Sequence, residues 1–527
     1  MEEKIKLENN TKKENYFLLS LVLYLIVGIG FLFFYRYQLN TDGLSYISIA
    51  QKYLFLDLEN AINGFWSPFY SWLMVPLLAL GLDALLSTKI LGLILGIFLF
   101  FGVKRLSYQF ILSECIRNFI FFAFVPITIY FALSVITPDF LVAIILVYYL
   151  SFIFDLGYRE DKSRGLMCGF LGGIAYLSKT YALPFFIVHF FLLNLFYYLQ
   201  SKSIDERKNI LFNFFSGFII FFIISGIWIS IISLKYGEFT FGTTGKYNMA
   251  VYGPDFKGDP LDYLGLLRPS DEKALSIWDD PTYIELPAWS SFQSVQNLKH
   301  LLKTGFENTF KTFFIIYSKF SPISIFIFII YFLISLEFLR RKIFSREFLY
   351  PLITILIYQT GYAFIHIEER YIWIAYILLL FMTGQILIMI LQYQFLSETK
   401  KKIAAVLLIG SFVIIPLFRL VYRINVGKEF YLISQQLENY KIQGNIASYN
   451  KWSESLVIAY YLGNQYYGIP KIGDNKEVID QLRQYNIDYY LVWDSPEKTP
   501  EFLKFHKELT GGKISELRVY SLKNYLE

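Results

Sequence analysis

The stretch Thr137-Pro138-Asp139-Phe-Leu-Val-Ala-Ile-Ile-Leu-Val-Tyr-Tyr-Leu-Ser-Phe-Ile153 places a single acid directly before a run that is almost entirely apolar. With the residues up to position 156, the run reaches the short end of the length that a membrane-crossing helix needs. A lone carboxylate at the boundary between membrane and water is energetically costly, so it indicates a charged partner or a function. The stretch therefore predicts a helical membrane protein whose chemistry lies at one end of its helices.

The composition of the whole chain supports an α-helical polytopic membrane protein. Of its 527 residues, 55% are hydrophobic and only 17% are charged, which excludes an ordinary soluble enzyme. We predict about eleven transmembrane helices, the first of them retained because the segment before it does not resemble a signal peptide. Besides 139–156, the runs of spanning length lie near 17–37, 86–103, 117–136, 165–179, 181–199, 211–234, 312–337, 348–365, 371–393 and 403–422.

The placement of the basic residues predicts the orientation. The segment 66–82 is also apolar, but we predict that it lies along the outer surface as a juxtamembrane helix instead of crossing. Every short loop rich in Lys and Arg then falls on one side, as the positive-inside rule requires. We expect a multi-pass protein of the plasma (inner) membrane, with the N-terminus in the cytoplasm and the C-terminus outside. The basic residues in question are Lys104, Arg105, Arg117, Arg159, Lys162, Arg164, Lys202, Arg207, Lys208, Arg340, Arg341, Lys342, Arg346, Lys400, Lys401 and Lys402.

Three polar regions fall outside in this topology, namely the loops 38–85 and 236–311 and the tail from residue 425. In the tail, strand-like apolar runs alternate with helical ones, which predicts a small extracytoplasmic α/β domain. We therefore predict a transmembrane domain over residues 1–424 and a C-terminal domain over residues 425–527. The expected strands are 445–449 and 487–492, and the expected helices are 453–462 and 476–485.

Two acids, Asp42 and Asp139, are predicted to lie at the outer ends of helices. Each has a structural explanation in helix capping, by Thr41 or Asp42 itself at the first helix and by Thr137 with Pro138 at the second. A functional explanation is equally compatible, because a helix N-terminus keeps a carboxylate ionised and able to act as a base or metal ligand. The predicted topology brings both acids to the same membrane face.

A third polar motif, His366-Ile-Glu368-Glu369-Arg370-Tyr371, precedes another predicted helix on the outer side. Arg370 has the structural explanation of pairing with Glu368 or Glu369. Its guanidinium is also suited to hold a phosphate group in two-point contact.

Lys179 lies in a short outer turn, where it either extends to the membrane surface or joins Arg370 in an anion site. A guanidinium and an ammonium at the same face would together bind an anion such as a phosphate.

The order and sidedness of these motifs resemble those of the C-type (GT-C) glycosyltransferase superfamily, close to the protein O-mannosyltransferase and aminoarabinose transferase branch (family 39-like). Asp42 matches the acid of the first outer loop, and Asp139 matches the acid that begins the fourth span. Residues 66–72, Trp-Ser-Pro-Phe-Tyr-Ser-Trp, match the Pro-containing start of a second juxtamembrane helix. Residues 366–371 are similar to a later outer His/Glu and Arg-Tyr element. A C-terminal extracytoplasmic α/β domain is common in the superfamily.

The resemblance implies the GT-C fold and a sugar donor linked to a polyprenyl phosphate, undecaprenyl in bacteria and dolichyl in archaea. The sugar would pass with inversion to a hydroxyl or amine of a membrane lipid, protein or glycan. Asp42 is the expected base, and Asp139 is expected to orient the acceptor or Asp42. The expected phosphate-binding residues are Arg370, Lys179 and His366, and the expected acceptor or sugar contacts are Glu368, Tyr371 and Trp278. For Trp278, packing of the outer loop against the membrane is the alternative.

A divalent cation is an open question at the sequence level. Some relatives have an acidic metal ligand just before the second juxtamembrane helix, where this chain reads Ile-Asn-Gly-Phe-Trp over residues 62–66. If a cation is bound, Asp42 and Asp139 are its expected ligands.

Two other functions remain as alternatives. A lipid or sugar transporter would carry ionisable residues near the middle of its spans, whereas here they gather at the ends, and no internal repeat is visible. A glycan polymerase or ligase acting on lipid-linked oligosaccharides would share the outer cations. We expect no nucleic-acid partner.

Overall fold

The computed structural model describes residues 2–255, 258–342, 345–392, 397–493, 499–514 and 516–523. Most of these residues are helical. The α-helices are α1 (Glu2–Tyr35), α2 (Thr41–Leu54), α3 (Leu58–Ala61), α4 (Phe69–Ala79), α5 (Ala84–Ser107), α6 (Glu114–Leu133), α7 (Asp139–Ile153), α8 (Ser163–Ser178), α9 (Ala182–Gln200), α10 (Ile204–Tyr236), α11 (Thr244–Val251), α12 (Pro260–Tyr263), α13 (Val295–Phe310), α14 (Tyr317–Phe320), α15 (Ser324–Arg340), α16 (Arg346–Ala363), α17 (Trp373–Leu391), α18 (Glu398–Tyr422), α19 (Lys428–Glu438), α20 (Trp452–Tyr461) and α21 (Asn475–Gln484).

Ten of the eleven apolar runs each form one helix over most of their length. Among the described residues, seven helices are long and apolar enough to cross a membrane, or eight when one bent pair is counted as a single span. The predicted span at 139–156 is shorter than expected, because α7 has 15 residues and ends before Asp155, whose side chain accepts a hydrogen bond from Gly157 N in a new turn. Nearly every residue of α7 is buried by neighbouring helices, so its length is not set by lipid.

The span predicted at 312–337 does not form one straight helix. The chain bends by 114° between the helical segment that ends at Phe320 and α15, which begins at Ser324. Pro322 explains the break, because proline lacks an N–H and disfavours helical geometry in the residue before it. Ser321 is accordingly extended. The helical segment from Val295 to Phe320 therefore runs in a different direction from α15.

The apolar segment 66–82 forms the 11-residue helix α4. A helix of this length extends only about 16 Å, which is too short to cross the hydrocarbon layer. Its length agrees with its exclusion from the predicted spans.

Glycines bring α8 and α10 into direct backbone contact. A Cβ on Gly169 would lie 2.0 Å from the carbonyl oxygen of Gly217, and a Cβ on Gly165 would lie 2.2 Å from that of Asn213. Gly165 and Gly169 form a small-xxx-small pattern, the arrangement that lets membrane helices approach closely. The two helices are also joined by a hydrogen bond, since Gly165 N donates to Asn213 Oδ1 at 3.0 Å.

The basic loops gather at one end of the helices, which we call the basic end. Arg346 Nη1 donates to Phe154 O at 2.7 Å, where α7 finishes. The guanidinium of Arg105 lies 3.9 Å from the centre of the Phe152 ring, on the last turn of α7. Since Asp139 begins α7, it lies at the opposite end, which we call the site end. Acids and basic loops are thus separated by the length of a helix.

The tail contains a four-stranded sheet with β1 (Ile446–Ser448), β2 (Tyr489–Trp493), β3 (Lys507–Glu508) and β4 (Leu517–Ser521). The strand order is β1-β2-β4-β3. β1 and β2 are parallel, and the other two pairs are antiparallel. The helices α20 and α21 lie between β1 and β2 in sequence, as the alternation predicted. The strands β3, which has only two residues, and β4 were not predicted from the sequence.

The sheet is joined to the rest of the chain through the loop 236–311. Tyr466 N donates to Leu275 O, and Leu267 N donates to Tyr467 O, both at 2.8 Å. Gln465 adds hydrogen bonds from its side-chain amide to three carbonyl oxygens of the same loop. The loop therefore connects the C-terminal sheet to the site end of the helices.

The glycine contact between α8 and α10 predicts a selective loss of stability. Gly169→Ala forces two backbones apart, and we expect it to lower the free energy of unfolding by about 1–3 kcal/mol, as overpacking does. Gly226→Ala on α10 is the matched control, since a Cβ there meets no atom within 4 Å and alanine favours helix. Thermal unfolding of both purified variants in the same detergent measures the difference. Equal melting temperatures would contradict the close contact.

Candidate active site

A cavity of about 890 Å³ opens at the site end of the helices. Its wall is built from the starts of α2 and α7, the turn between α8 and α9, residues 361–371, and the loop 236–311. Every residue that the sequence analysis selected lines this one cavity. These residues are Asp42, Asp139, Lys179, Trp278, His366, Glu368, Arg370 and Tyr371.

Asn40 explains why the two acids meet. Its side chain bridges to the backbone just before α7, with Oδ1 accepting from Ile136 N at 2.9 Å and Nδ2 donating to Ile136 O at 3.4 Å. Gly43 permits this approach, because a Cβ there would lie 2.7 Å from the Cβ of Ile136. In the sequence, Asp42 lies between Asn40 and Gly43, and Asp139 lies three residues after Ile136. The stretch 40–43 therefore fixes the spacing of the acids.

The acids are held in a chain of ion pairs. Arg370 Nη2 lies 2.7 Å from Asp42 Oδ2, and Arg370 Nε lies 2.8 Å from Glu368 Oε2 and 3.7 Å from Asp139 Oδ2. Lys179 Nζ pairs with Asp139 Oδ1. Three carboxylates thus share two cations, and Arg370 touches all three acids. A guanidinium can do this because it presents donors on several edges.

Capping does not account for the two acids. Asn40 and Pro138 precede α2 and α7, and the structure shows no side-chain capping hydrogen bond from either. The expectation that Thr137 caps α7 is wrong, because the helix starts two residues later and Thr137 Oγ1 donates to Asp139 Oδ2 at 2.9 Å. Asp139 is 6% exposed, so the lysine and threonine supply the polar contacts that a buried carboxylate requires.

Glu368 is the anchor of the 366–371 motif. His366 Nε2 lies 3.2 Å from its Oε1, Tyr371 OH donates to the same oxygen at 3.1 Å, and Arg370 binds its other oxygen. Burial acts to raise the pKa of Glu368, but the hydrogen bond from His366 and the charge of Arg370 outweigh it and hold the pKa well below its ordinary value. Glu368 is therefore an ionised group that orients its neighbours.

Glu369 points away from the cavity, although its sequence neighbours line it. Its Oε1 pairs with Arg419 Nη1, and Tyr130 OH donates to the same oxygen at 3.3 Å. Of the two acids that the sequence offers as partners of Arg370, Glu368 is the one that pairs with it. The Glu369–Arg419 pair connects the residues just before α17 to α18. It therefore fixes the 366–371 motif to the helix bundle on the side away from the cavity.

Aromatic rings complete the cationic side of the cavity. The ammonium of Lys179 lies 3.7 Å from the centre of the Tyr371 ring. The imidazole of His366 stacks on Tyr252, with 4.7 Å between ring centres. Sequence reasoning missed Tyr252, because it belongs to the distant loop 236–311. These contacts hold both side chains while part of each still faces the cavity.

The residues present do not fit a divalent cation. Within the described part of the chain, no group of three or more His, Cys, Asp or Glu side chains is arranged as a set of metal ligands. The two acids expected as ligands, Asp42 and Asp139, are bound by Arg370 and Lys179. We therefore assign no chemical step to a metal ion.

Comparison with known proteins supports the fold. Neither a protein-family model nor a curated protein matches the chain. Among solved structures, ArnT from Cupriavidus metallidurans bound to undecaprenyl phosphate is 12% identical, with a TM-score of 0.55 over 95% of this chain and 97% of that chain. Its apo state gives a TM-score of 0.54 over 96% and 98%. The Archaeoglobus fulgidus oligosaccharyltransferase in complex with Zn and sulfate, 12% identical, gives 0.51 over 90% and 67%. The chain therefore has the GT-C fold that the sequence motifs predicted.

The shared position of Arg370 predicts strong energetic coupling with Asp42. Arg370→Gln leaves Asp42 and Glu368 without their cation, so adding Asp42→Asn should restore part of the lost stability. We expect a coupling energy of about 0.5–3 kcal/mol from a double-mutant cycle of unfolding free energies.

The control for this cycle is the pair Asp205 and Lys208, whose side chains are 86% and 71% exposed. Exposed pairs of this kind couple by about 0.2–1 kcal/mol or less, so the control cycle should be close to additive. Additive effects at Asp42 and Arg370 would contradict the ion-pair chain.

Proposed function

We propose that this protein is an integral membrane glycosyltransferase that transfers a sugar from a polyprenyl-phosphate donor to an acceptor hydroxyl or amine at the outer membrane face. The observation that carries the proposal is the cluster of Asp42, Arg370 and Lys179 in one cavity of a GT-C fold. The fold is shared along almost the full length with ArnT, whose structure holds undecaprenyl phosphate.

The proposed reaction is a single displacement with inversion. Asp42 takes the proton of the acceptor group while the acceptor's oxygen or nitrogen forms a bond to the anomeric carbon. The bond between that carbon and the phosphate oxygen breaks, and the electron pair leaves with the polyprenyl phosphate. The products are the glycosylated acceptor, polyprenyl phosphate and a protonated Asp42, which then returns its proton to water.

Two observations favour Asp42 over Asp139 as the base. Asp139 is 6% exposed and is bound by both Lys179 and Thr137. Asp42 is half-buried, and its carboxylate is bound by Arg370 alone among the side chains of the described residues. Asp139 is therefore a positioning residue that orients Lys179, while Asp42 has oxygen capacity left for an acceptor.

Arg370 and Lys179 are the proposed phosphate ligands. Donors fixed in a partly water-excluded cavity stabilise the negative charge that develops on a departing phosphate. Both cations already neutralise carboxylates, so an entering phosphate exchanges one anion for another around the same cations. The exchange also moves Arg370 from Asp42 towards the donor, which frees the carboxylate for the acceptor proton. His366 supports the phosphate from the same wall.

The sidedness is part of the proposal. The basic end carries the Lys- and Arg-rich loops that the positive-inside rule assigns to the cytoplasm. The cavity, the loop 236–311 and the C-terminal sheet then face outward from the plasma (inner) membrane. A donor whose sugar lies on the outer side would meet the cavity directly.

The first test uses purified protein with a panel of polyprenyl-phosphate sugars and a cell-envelope extract as acceptor source. Release of free polyprenyl phosphate from one donor by the wild type identifies the sugar. Removal of a charge-stabilising donor typically costs a factor of about 10²–10³ in kcat, so we expect Arg370→Ala to lose activity by that factor. Asp42→Asn, which removes the base and keeps the shape, should lose activity at least as severely.

The control variant is Arg341→Ala, since Arg341 pairs with Glu337 at the basic end and is 66% exposed. It should keep wild-type turnover, and melting temperatures show which variants are folded. Full activity of folded Arg370→Ala would remove Arg370 from the mechanism. Absence of turnover with every donor would overturn the proposed function and favour an activity on lipid-linked oligosaccharides.

A further inference from the structure

Part of the cavity wall is a cluster of aromatic side chains. Trp66, Tyr247, Trp278 and Trp452 line it together. Trp278 is the centre of the group, with its ring centre 5.8 Å from that of Trp66 and 5.9 Å from those of Tyr247 and Trp452. We call these four side chains the aromatic box.

The box draws on three distant parts of the chain. Trp66 precedes α4, Tyr247 and Trp278 belong to the loop 236–311, and Trp452 begins α20 beside the C-terminal sheet. Trp66 Nε1 donates to Trp278 O at 2.9 Å. The C-terminal part therefore contributes directly to the cavity wall, since its Trp452 ring faces the same space.

Packing alone does not account for the box. Trp66 and Tyr247 are buried, at 8% and 9% exposure, and form the base of the group. Trp278 and Trp452 are half-buried and remain accessible although they touch each other. Two large aromatic rings that border an open cavity offer apolar faces to a ligand.

Asp259 gives the box a polar edge. It is half-buried, lines the cavity, and accepts a hydrogen bond of 3.0 Å from Leu261 N. Burial raises the pKa of Asp259, against the lowering effect of its hydrogen bonds with the Leu261 backbone and the Trp452 side chain. A carboxylate accepts hydroxyl hydrogens in two-point contact. Aromatic faces beside such an acceptor match a sugar ring, which has apolar C–H faces and hydroxyls around its rim.

The box adjoins the helix start that carries the proposed base. Lys179, Asp139 and Arg370 lead to Asp42 through the ion pairs already described. Tyr46, one turn after Asp42, packs edge-on against Trp66 with 5.2 Å between ring centres. Tyr46 thus connects the start of α2, where Asp42 lies, to the box.

We propose that the aromatic box is the acceptor subsite and that it binds a sugar ring of a glycan or a glycolipid. The inference rests on the proposed transfer reaction and specifies its acceptor class. A polypeptide acceptor is the competing outcome of the test.

The test compares acceptors with the purified full-length protein and its own donor. A soluble oligosaccharide, a glycolipid in detergent and a hydroxyl-rich peptide are each titrated at fixed donor concentration. We expect transfer to a carbohydrate acceptor, and the soluble and lipid-linked forms distinguish a free glycan from a glycolipid. Transfer to the peptide only would overturn the inference while leaving the proposed function intact.

Variants then assign the subsite. Loss of one aromatic contact corresponds to about a tenfold change in affinity, so Trp452→Ala should raise the acceptor KM about tenfold more than the donor KM. Trp452→Phe, which keeps a ring, should recover most of the affinity. Asp259→Asn gives a second variant that keeps its volume and is expected to raise the same KM.

The matched control is Trp289→Ala. Trp289 lies in the same loop but packs on His300 and donates to Met249 O outside the box, so its acceptor KM should match the wild type. An unchanged acceptor KM in both Trp452→Ala and Asp259→Asn would overturn the inference. A wild type that consumes no donor would refute the proposed function instead.

Discussion

The structure depends on the charge of Arg370, which neutralises acids from three separate segments. Its guanidinium lies 2.7 Å from Asp42, 2.8 Å from Glu368 and 3.7 Å from Asp139. Unpaired carboxylates at the edge of a membrane would be strongly disfavoured. The starts of α2 and α7 and the 366–371 motif therefore have to converge on one point. Lys179 pairs with the other carboxylate oxygen of Asp139.

The surrounding fold is arranged to make that convergence possible. Asn40 fastens α2 to the turn before α7, and Gly43 removes the side chain that would keep them apart. On the other side of the motif, Glu369 is held by Arg419 of α18. Residues 368 to 370 thus alternate between the cavity and the helix bundle. Breaking either attachment would shift Arg370 relative to the acids.

Sequence patterns selected residues that line one cavity, whereas they gave the details of the helices less well. Position at helix ends and the distribution of Lys and Arg selected Asp42, Asp139, Lys179 and Arg370, because a charge at a membrane boundary is informative without contacts. Trp452 was not found, since its sequence neighbours indicate only a helix of the C-terminal sheet. The break at Pro322 was missed because mean hydropathy over a long window is insensitive to one residue. The proline itself indicated that the helix could end there.

The pairing of both cations also bears on the proposed reaction. A site whose Arg370 and Lys179 lacked carboxylate partners would be costly to bury before the donor arrives. In the proposed reaction, the entering phosphate replaces Asp42 as a partner of Arg370, so the guanidinium stays paired before and after the donor binds. In that proposal Arg370 binds either Asp42 or the phosphate, so occupancy of the proposed donor site and availability of the proposed base become linked. Under the proposed reaction, the cluster therefore favours acceptor activation only when the donor is present.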